Sequence, residues 1–201
     1  MARILIFAKA PVPGQVKTRL IPVLGPEGAA ALQARLLRDL IVRLGAPPPV
    51  PLELWCAPDS THPLFQELAC CHPLTLHRQL GRDLGERLRN AACDASRRAA
   101  HLILIGADCP LLDGEYLQRA LLLLANGQDA VLGPAEDGGY VLLGLRCAAA
   151  PVFTEMPWGS ERVAALTRER FARLGWRWAE LPTLWDLDRP GDLMRFADLA
   201  R

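Results

Sequence analysis

The chain has 201 residues, of which 51% are hydrophobic and 22% charged. Those proportions are ordinary for a globular protein and, at this length, leave room for a substantial core in a single domain over 1–201. A formal net charge of +1 excludes a whole-molecule field for nucleic acid or an anionic membrane surface, so any anion site must be built locally. No apolar run reaches the roughly 18–20 residues of a membrane span; the longest candidate, Leu117–Leu124, is interrupted by Gln118 and Arg119. Residue 1 leads directly into the first predicted strand, so no signal peptide is expected. The six cysteines form no CxxC pair and the four histidines show no ligand spacing. Reduced thiols in a cytoplasmic protein follow more naturally than disulfides or a zinc site.

The first predicted strand is 3–8. A helix follows from about Pro26 to Leu44, with Leu32, Leu36, Leu40 and Leu44 four residues apart. Gly45 should stop it, and Ala46-Pro47-Pro48-Pro49 makes a stiff connection. Leu52–Cys56 reads as a strand, a short helix starts after Asp59 or Ser60, and Leu74–His77 reads as a third strand. Gly81–Leu88 leads into a helix ending near Ala100. His101–Gly106 is apolar on both faces, which places it centrally in a sheet. A helix covers Gly114–Ala125. Two strands then follow directly, Ala130–Gly133 and Tyr140–Leu145, with Asp137-Gly138-Gly139 as a hairpin-like turn between them. A helix follows Ser160, its expected N-cap. Trp176–Leu181 is a late strand, and the last helix opens with Pro190 at its first position. Alternating strands and helices predict an α/β fold with a mostly parallel sheet, and the consecutive strands after residue 129 make that sheet mixed.

The loop from Phe7 to Leu20 joins the first strand to the first helix. It therefore lies at the carboxyl end of the sheet, where open α/β folds bind ligands. Its cations Lys9, Lys17 and Arg19, with Gly14 and free backbone N–H groups, suit a phosphate-rich ligand; a Pro-stiffened loop with solvated lysines is the plainer alternative. Asp108 stands just past the carboxyl end of the central strand and faces the same crevice. There it can hold Mg²⁺ or Mn²⁺ against phosphates, or merely cap the next helix. Asp186 and Asp188, two residues apart, would point the same way from an extended backbone and complete such a site. Asp192 falls in a first helical turn, where a carboxylate offsets the macrodipole. Glu136-Asp137-Gly138-Gly139-Tyr140 permits close backbone approach to a ligand, with Asp137 as a candidate general base. Asp83, Glu86 and Arg87 sit at a helix start, where capping is the simpler role. Trp158 could stack on a base or a sugar.

Six strings occur in order: FAKAPVPGQVKTRL, DLGERL, LIGADCPLL, GPAEDGGYVLLGL, MPWGSERV and PTLWDLDRPGDL. Together they resemble the bacterial glycosyltransferase-like family labelled arsenosugar biosynthesis glycosyltransferase, over nearly the whole chain from Ile4 to Leu193. That family lies in the nucleotide-diphospho-sugar transferase (GT-A-like) superfamily, so the resemblance implies a Rossmann-like three-layer α/β/α sandwich. Val16–Leu20, Ala107–Leu111 and Asp186-Leu187-Asp188 are also similar to phospholactate guanylyltransferase and other small nucleotidyltransferases. In those enzymes the first loop holds the triphosphate, and the strand-end Asp and late Asp cluster share the divalent metal. Lys17, Arg19, Asp108 and Asp188 carry over by that similarity. The chain departs from the usual Asp-x-Asp of the fold, because Pro110 holds its third position, and Arg189 replaces a capping Thr common in relatives.

The expected donor is a nucleotide-sugar or a nucleoside triphosphate, with Mg²⁺ or Mn²⁺ as cofactor and a small-molecule acceptor. Ala8, Lys9, Gly14, Lys17, Arg19, Asp83 and Asp108 are the candidate nucleotide-binding residues. Gly138, Gly139, Tyr140 and Trp158 are the candidate acceptor-binding residues. Lys17 and Asp137 are the catalytic candidates, and Asp108, Asp186 and Asp188 the metal ligands. Sugar transfer from a nucleotide-sugar leads, ahead of nucleotidyl transfer with release of pyrophosphate and of a non-catalytic nucleotide-binding module. The apolar hairpin Tyr140–Leu145 can serve as a homodimer interface.

Overall fold

The structure, a computed structural model, describes residues 1–44, 50–148 and 150–199. The strands β1 (Ala2–Lys9), β2 (Leu52–Ala57), β3 (Leu74–Arg78), β4 (His101–Gly106), β5 (Ala130–Pro134), β6 (Tyr140–Leu145) and β7 (Trp178–Glu180) form one sheet in the order β3-β2-β1-β4-β6-β5-β7. β1 is parallel to β2 and β4, and β2 to β3. β6 runs antiparallel to β4 and β5, while β7 is parallel to β5. The sheet is thus the mixed, mostly parallel one expected. β4 is central, as its two-sided apolar run requires, and β6 lies between β4 and β5 with all but Tyr140 buried, so the strand expected at a homodimer interface is spent on this chain's own core.

Alternation along the strands divides the core in two. Ile4, Ile6, Ile103 and Ile105 face one layer, where they pack with Leu37, Leu40 and Ile41 of α1 (Ile21–Arg43), Leu64 and Phe65 of α2 (Pro63–Cys71) and Leu117 and Leu124 of α4 (Gly114–Ala125). Leu5, Leu102 and Leu104 face the other, against Leu88 and Ala91 of α3 (Leu84–Ser96), Phe153 of α5 (Ala150–Phe153) and Phe171 of α6 (Val163–Arg173). This is the three-layer α/β/α arrangement. The last helix, α7 (Asp192–Leu199), buries no residue fully.

Element boundaries differ from the sequence reading where local chemistry overrides periodicity. α1 begins at Ile21, breaks at Gly25, whose φ is +69°, and resumes at Pro26. The predicted stop at Gly45 and the connection Ala46-Pro47-Pro48-Pro49 lie outside the described residues. α3 ends at Ser96, short of Ala100. α6 is capped by Arg162 and not by Ser160, which instead accepts a bond from the Arg162 N–H inside a turn. α7 begins at Asp192, so Pro190 precedes it. The four-residue α5 carries no periodicity long enough to be read from sequence.

Strand order reverses between β1 and β4: the chain continues from β1 to β2 on one side and from β4 to β5 on the other. The crevice at such a switch point is where the fold presents loops to a ligand. After β7, Leu184 bridges to Ala135 beside the end of β5, which carries Trp185–Asp188 back to that crevice.

Candidate active site at the carboxyl ends of β1 and β4

Lys17 is the centre of the site. It is buried (8% exposed) and adopts a left-handed backbone, φ 47° and ψ 40°. A non-glycine residue in that region costs about 1–2 kcal/mol, and such outliers gather at functional sites. The conformation turns its ammonium inward. Nζ lies 2.7 Å from Asp108 Oδ1 and donates to the Leu187 carbonyl. Asp108 Oδ1 is buried, and the ion pair with Lys17 is its sole polar contact among the described residues; no donor meets it in hydrogen-bond geometry. Leu187 N–H donates to the Asp108 carbonyl (2.9 Å), so the late loop is stitched to the end of β4. Arg19 pairs with Asp188. The Asp192 carboxylate accepts from Asp188 N (3.0 Å) and Arg189 N (2.7 Å), fixing the backbone of that loop. Asp192 stands in the first turn of α7, as read from the sequence, and its carboxylate also holds the loop before that helix.

Asp186 carries the largest electrostatic perturbation of the cluster. Burial, then the negative charges of Asp108, Asp137 and Asp188, push its carboxyl up to about 7, against the opposing pull of Lys17. A carboxylate cluster short of countercharge is the chemistry a divalent cation relieves, and the donors are the hard oxygens that Mg²⁺ and Mn²⁺ prefer. As the side chains stand, among the described residues no three such groups converge on one point. Asp108 and Asp188 are instead held by Lys17 and Arg19.

Two cavities meet at Phe7, Leu84 and Gly106. The first, about 620 Å³, is a cationic cleft lined by Ala8, Lys9, Lys17, Arg19, Asp83, Arg82, Arg87, Asp108 and Asp188. Gly14 is not among its walls; its φ of +79° serves the turn that delivers Lys17. Asp83 does two things: it caps α3 through the Glu86 N–H (2.8 Å) and borders the cleft. Gln79 also lines the cleft, and sequence reasoning missed it. Its amide donates to the carbonyls of Trp55 (2.8 Å) and Ala8 (3.2 Å), tying the ends of β2 and β1 together. The strand-end position that marked Asp108 would have marked Gln79 as well, since it follows β3 directly.

The second cavity, about 210 Å³, is walled by apolar side chains with Asp137, Asp186, Tyr140 and Trp158. Tyr140 and Trp158 meet edge to face, with centroids 6.2 Å apart and an 81° interplanar angle. The Tyr140 hydroxyl is buried without a hydrogen-bond partner among the described residues, and burial raises its pKa. Asp137 Oδ1 accepts from Gly139 N–H (2.8 Å). Gly139 lines the cavity, but the open side of Gly138 faces Glu161: a Cβ there would lie 2.1 Å from the Glu161 carbonyl oxygen. Gly138 is required by that close backbone approach. An outer opening of about 460 Å³ shares Asp137 and Asp186 with this cavity and is edged by Glu136, Glu161, Asp188 and Asp192 and by Arg19 and Arg189. The predicted nucleotide and acceptor residues thus fall, Gly14 and Gly138 apart, on two adjoining hollows with the acid cluster between them.

Among the described residues, no helix is long and apolar enough to cross a membrane. A crystal structure of a protein from Desulfovibrio desulfuricans G20, provisionally assigned as a nucleotide-diphospho-sugar transferase, is 34% identical, with a TM-score of 0.84 over 94% of this chain and 82% of that one. CMP:2-keto-3-deoxy-manno-octonic acid synthetase complexed with CTP shares the fold at 12% identity, with a TM-score of 0.62 over 99% and 98% of the two chains. Glucosyl-3-phosphoglycerate synthase from Mycobacterium tuberculosis, in complex with Mn²⁺, UDP and glucosyl-3-phosphoglycerate, does so at 11% identity, with a TM-score of 0.56 over 97% and 75%. The fold is thus that of nucleotide-diphospho-sugar transferases. No match to a curated protein is found. A family profile described as an uncharacterized protein conserved in bacteria (DUF2064) matches residues 40–160. That description names no activity, so the arsenosugar designation rests on the sequence resemblance alone. By this match and the Desulfovibrio relative, the chain belongs to the DUF2064 family.

Proposed function

We propose that the protein transfers a sugar from a nucleoside diphosphate-sugar to a small hydroxyl-bearing acceptor. The observation that carries this reading is the division of charge between the two hollows. Lys9, Lys17, Arg82 and Arg87 line the cleft, Arg19 lines both the cleft and the outer opening that Arg189 also edges, and among the described residues no cation lines the adjoining cavity. A nucleotide-sugar matches that division, because its only anions are in the diphosphate. A phosphorylated acceptor, as nucleotidyl transfer would need, calls for a second set of cations.

In this reading the acceptor oxygen attacks the anomeric carbon, the bond from that carbon to the diphosphate oxygen breaks, and its electron pair stays with the diphosphate. Lys17 and Arg19 stabilise the charge gained there. Asp137, oriented through Gly139 N–H, takes the acceptor proton. Mg²⁺ or Mn²⁺, held by Asp108, Asp186 and Asp188, would neutralise further charge on the departing diphosphate. The reducing compartment expected from the cysteine pattern belongs to the same reading.

The test is a thermal-shift panel of nucleoside di- and triphosphates with and without Mn²⁺ or Mg²⁺. A ligand at about 100 times its dissociation constant adds about 2.7 kcal/mol, a readily visible shift. A metal-dependent shift with a nucleoside diphosphate is expected. A shift confined to a triphosphate would favour nucleotidyl transfer, and binding indifferent to metal would favour a non-catalytic module. With a donor in hand, Asp137→Asn should abolish turnover and leave donor binding intact; unchanged turnover removes Asp137 from the mechanism.

A further inference from the structure

The second cavity has chemistry of its own. Leu88, Leu104, Val141, Leu143 and Val163 supply its walls, and the Tyr140–Trp158 corner closes part of it. Among the described residues its charged lining groups are Asp137 and Asp186. The lining is mostly apolar, with the Ser160 and Tyr140 hydroxyls among its uncharged polar side-chain groups, so it meets few of the hydroxyls of a polyol, and each unmet hydroxyl is costly to bury. Inside the cavity two carboxylates and no cation among the described residues disfavour an anion, although Arg19 and Arg189 stand with further carboxylates at the outer opening. The two inner carboxylates do accept a hydrogen bond from a single O–H. An apolar cavity of about 150 Å³ is enough to hold a benzene-sized ligand, so about 210 Å³ holds an aromatic or branched body with a short hydroxyl arm.

We infer that this cavity binds an uncharged alcohol with an apolar body, its hydroxyl against Asp137 and Asp186, and that such an alcohol is the acceptor. The acceptor role rests on the sugar-transfer reading; the occupancy of the cavity does not. Trp158 supplies the specificity. It is set by Gly85 in the first turn of α3, where a Cβ would lie 2.7 Å from Trp158 Nε1 and 2.6 Å from the Phe153 carbonyl oxygen. The indole therefore closes against that backbone with no room for a side chain between them.

Ligand-observed NMR with the full chain tests this, using 2-phenylethanol as probe for the cavity and inorganic pyrophosphate for the cleft. The two should bind together without competition. Trp158→Ala should weaken 2-phenylethanol at least tenfold and leave pyrophosphate unchanged, and Trp158→Phe should recover most of the loss. Neither methyl α-D-glucopyranoside nor glycerol 3-phosphate should displace 2-phenylethanol. Displacement by either, or 2-phenylethanol binding indifferent to Trp158→Ala, overturns the inference. Competition with pyrophosphate would assign the cavity to the donor instead and overturn it too. Alcohol binding without any pyrophosphate binding would remove the sugar-transfer reading, and the acceptor role with it, while the cavity assignment stood.

Discussion

Replacing Asp186 with Asn should stabilise the protein at pH 8 in the absence of divalent metal, although the residue lies at the heart of the site. Its carboxyl is raised from an ordinary 3.8 to about 7 by burial and by Asp108, Asp137 and Asp188. A group with a raised native pKa stabilises the fold only while protonated. Its contribution is fully present below the unfolded value near 4 and is lost as pH rises to about 7, because across that window the unfolded chain gives up its proton first. At 1.36 kcal/mol per unit, the shift caps the strain of the charged form on the order of 4 kcal/mol. Solvent reaching a partly exposed carboxyl lowers this to about 2 kcal/mol. Asn keeps the shape and removes the charge. At about 2–4 °C per kcal/mol for a chain of this size, the melting temperature should rise by about 4–8 °C at pH 8 and hardly at all at pH 4.

The assay is thermal unfolding of wild type and Asp186→Asn from pH 4 to 8 in chelator. The difference between them cancels the titrating groups that do not interact with Asp186 and leaves the acid cluster. A stability difference that is flat with pH, or a variant less stable than wild type at pH 8, would refute the argument. Adding Mg²⁺ or Mn²⁺ should then raise the wild type alone, since the same charge crowding draws the cation.

Lys17→Ala should weaken binding of a nucleoside diphosphate by at least tenfold, about 1.4 kcal/mol, as read by calorimetry. Gly138→Ala meets both a φ of +86° and the Glu161 backbone, so it should cost about 3 kcal/mol or more in chemical denaturation. Glu53 is fully buried on β2, where it accepts from Arg3, Arg98 and Trp55, each at 3.1 Å. Glu53→Gln should destabilise by about 2–4 kcal/mol, measured by urea unfolding, because Arg3 loses its carboxylate partner and Arg98 keeps only Asp94. Arg195 grips Glu136 bidentately and stacks on Trp185 at 4.4 Å. Arg195→Ala should speed amide exchange in α7 and leave the global melting temperature unchanged.

Much of this was legible in the residues, for identifiable reasons. Continuous apolar runs marked β1 and β4, and the strand-end rule placed Lys17 and Asp108 at one crevice. Contacts between segments far apart in sequence were not legible. Nothing local shows that Gly138 faces Glu161, or that Gly85 makes room for Trp158. The role of Gln79 depends on β3 ending beside β2 and β1, which is a property of topology. Ser160 failed as a cap because the loop 157–162 turns under the constraint of Gly138, whose carbonyl accepts from Ala164 N–H, and delays α6 to Val163.

The absence of an Asp-x-Asp motif bears on the metal more than on the fold. Pro110 cannot supply a second carboxylate beside Asp108, yet the chain brings one from its far end. The bond from Leu187 N–H to the Asp108 carbonyl places Asp186 and Asp188 on either side of an anchored residue. In an extended segment both carboxylates then point toward the crevice while Leu187 is buried in the core. Asp108 is the leading charged influence on Asp186, ahead of Asp137 and Asp188, as proximity across that bond requires. The same stitch brings the Leu187 carbonyl within reach of Lys17. Restoring the motif by Pro110→Asp while removing Asp186 therefore distinguishes local spacing from this long-range stitch. If the anchored late loop is what matters, the double variant keeps the pH profile of Asp186→Asn and does not regain a metal-dependent thermal shift. Recovery of that shift would show that a second carboxylate anywhere near Asp108 suffices, and the late loop would then be packing alone.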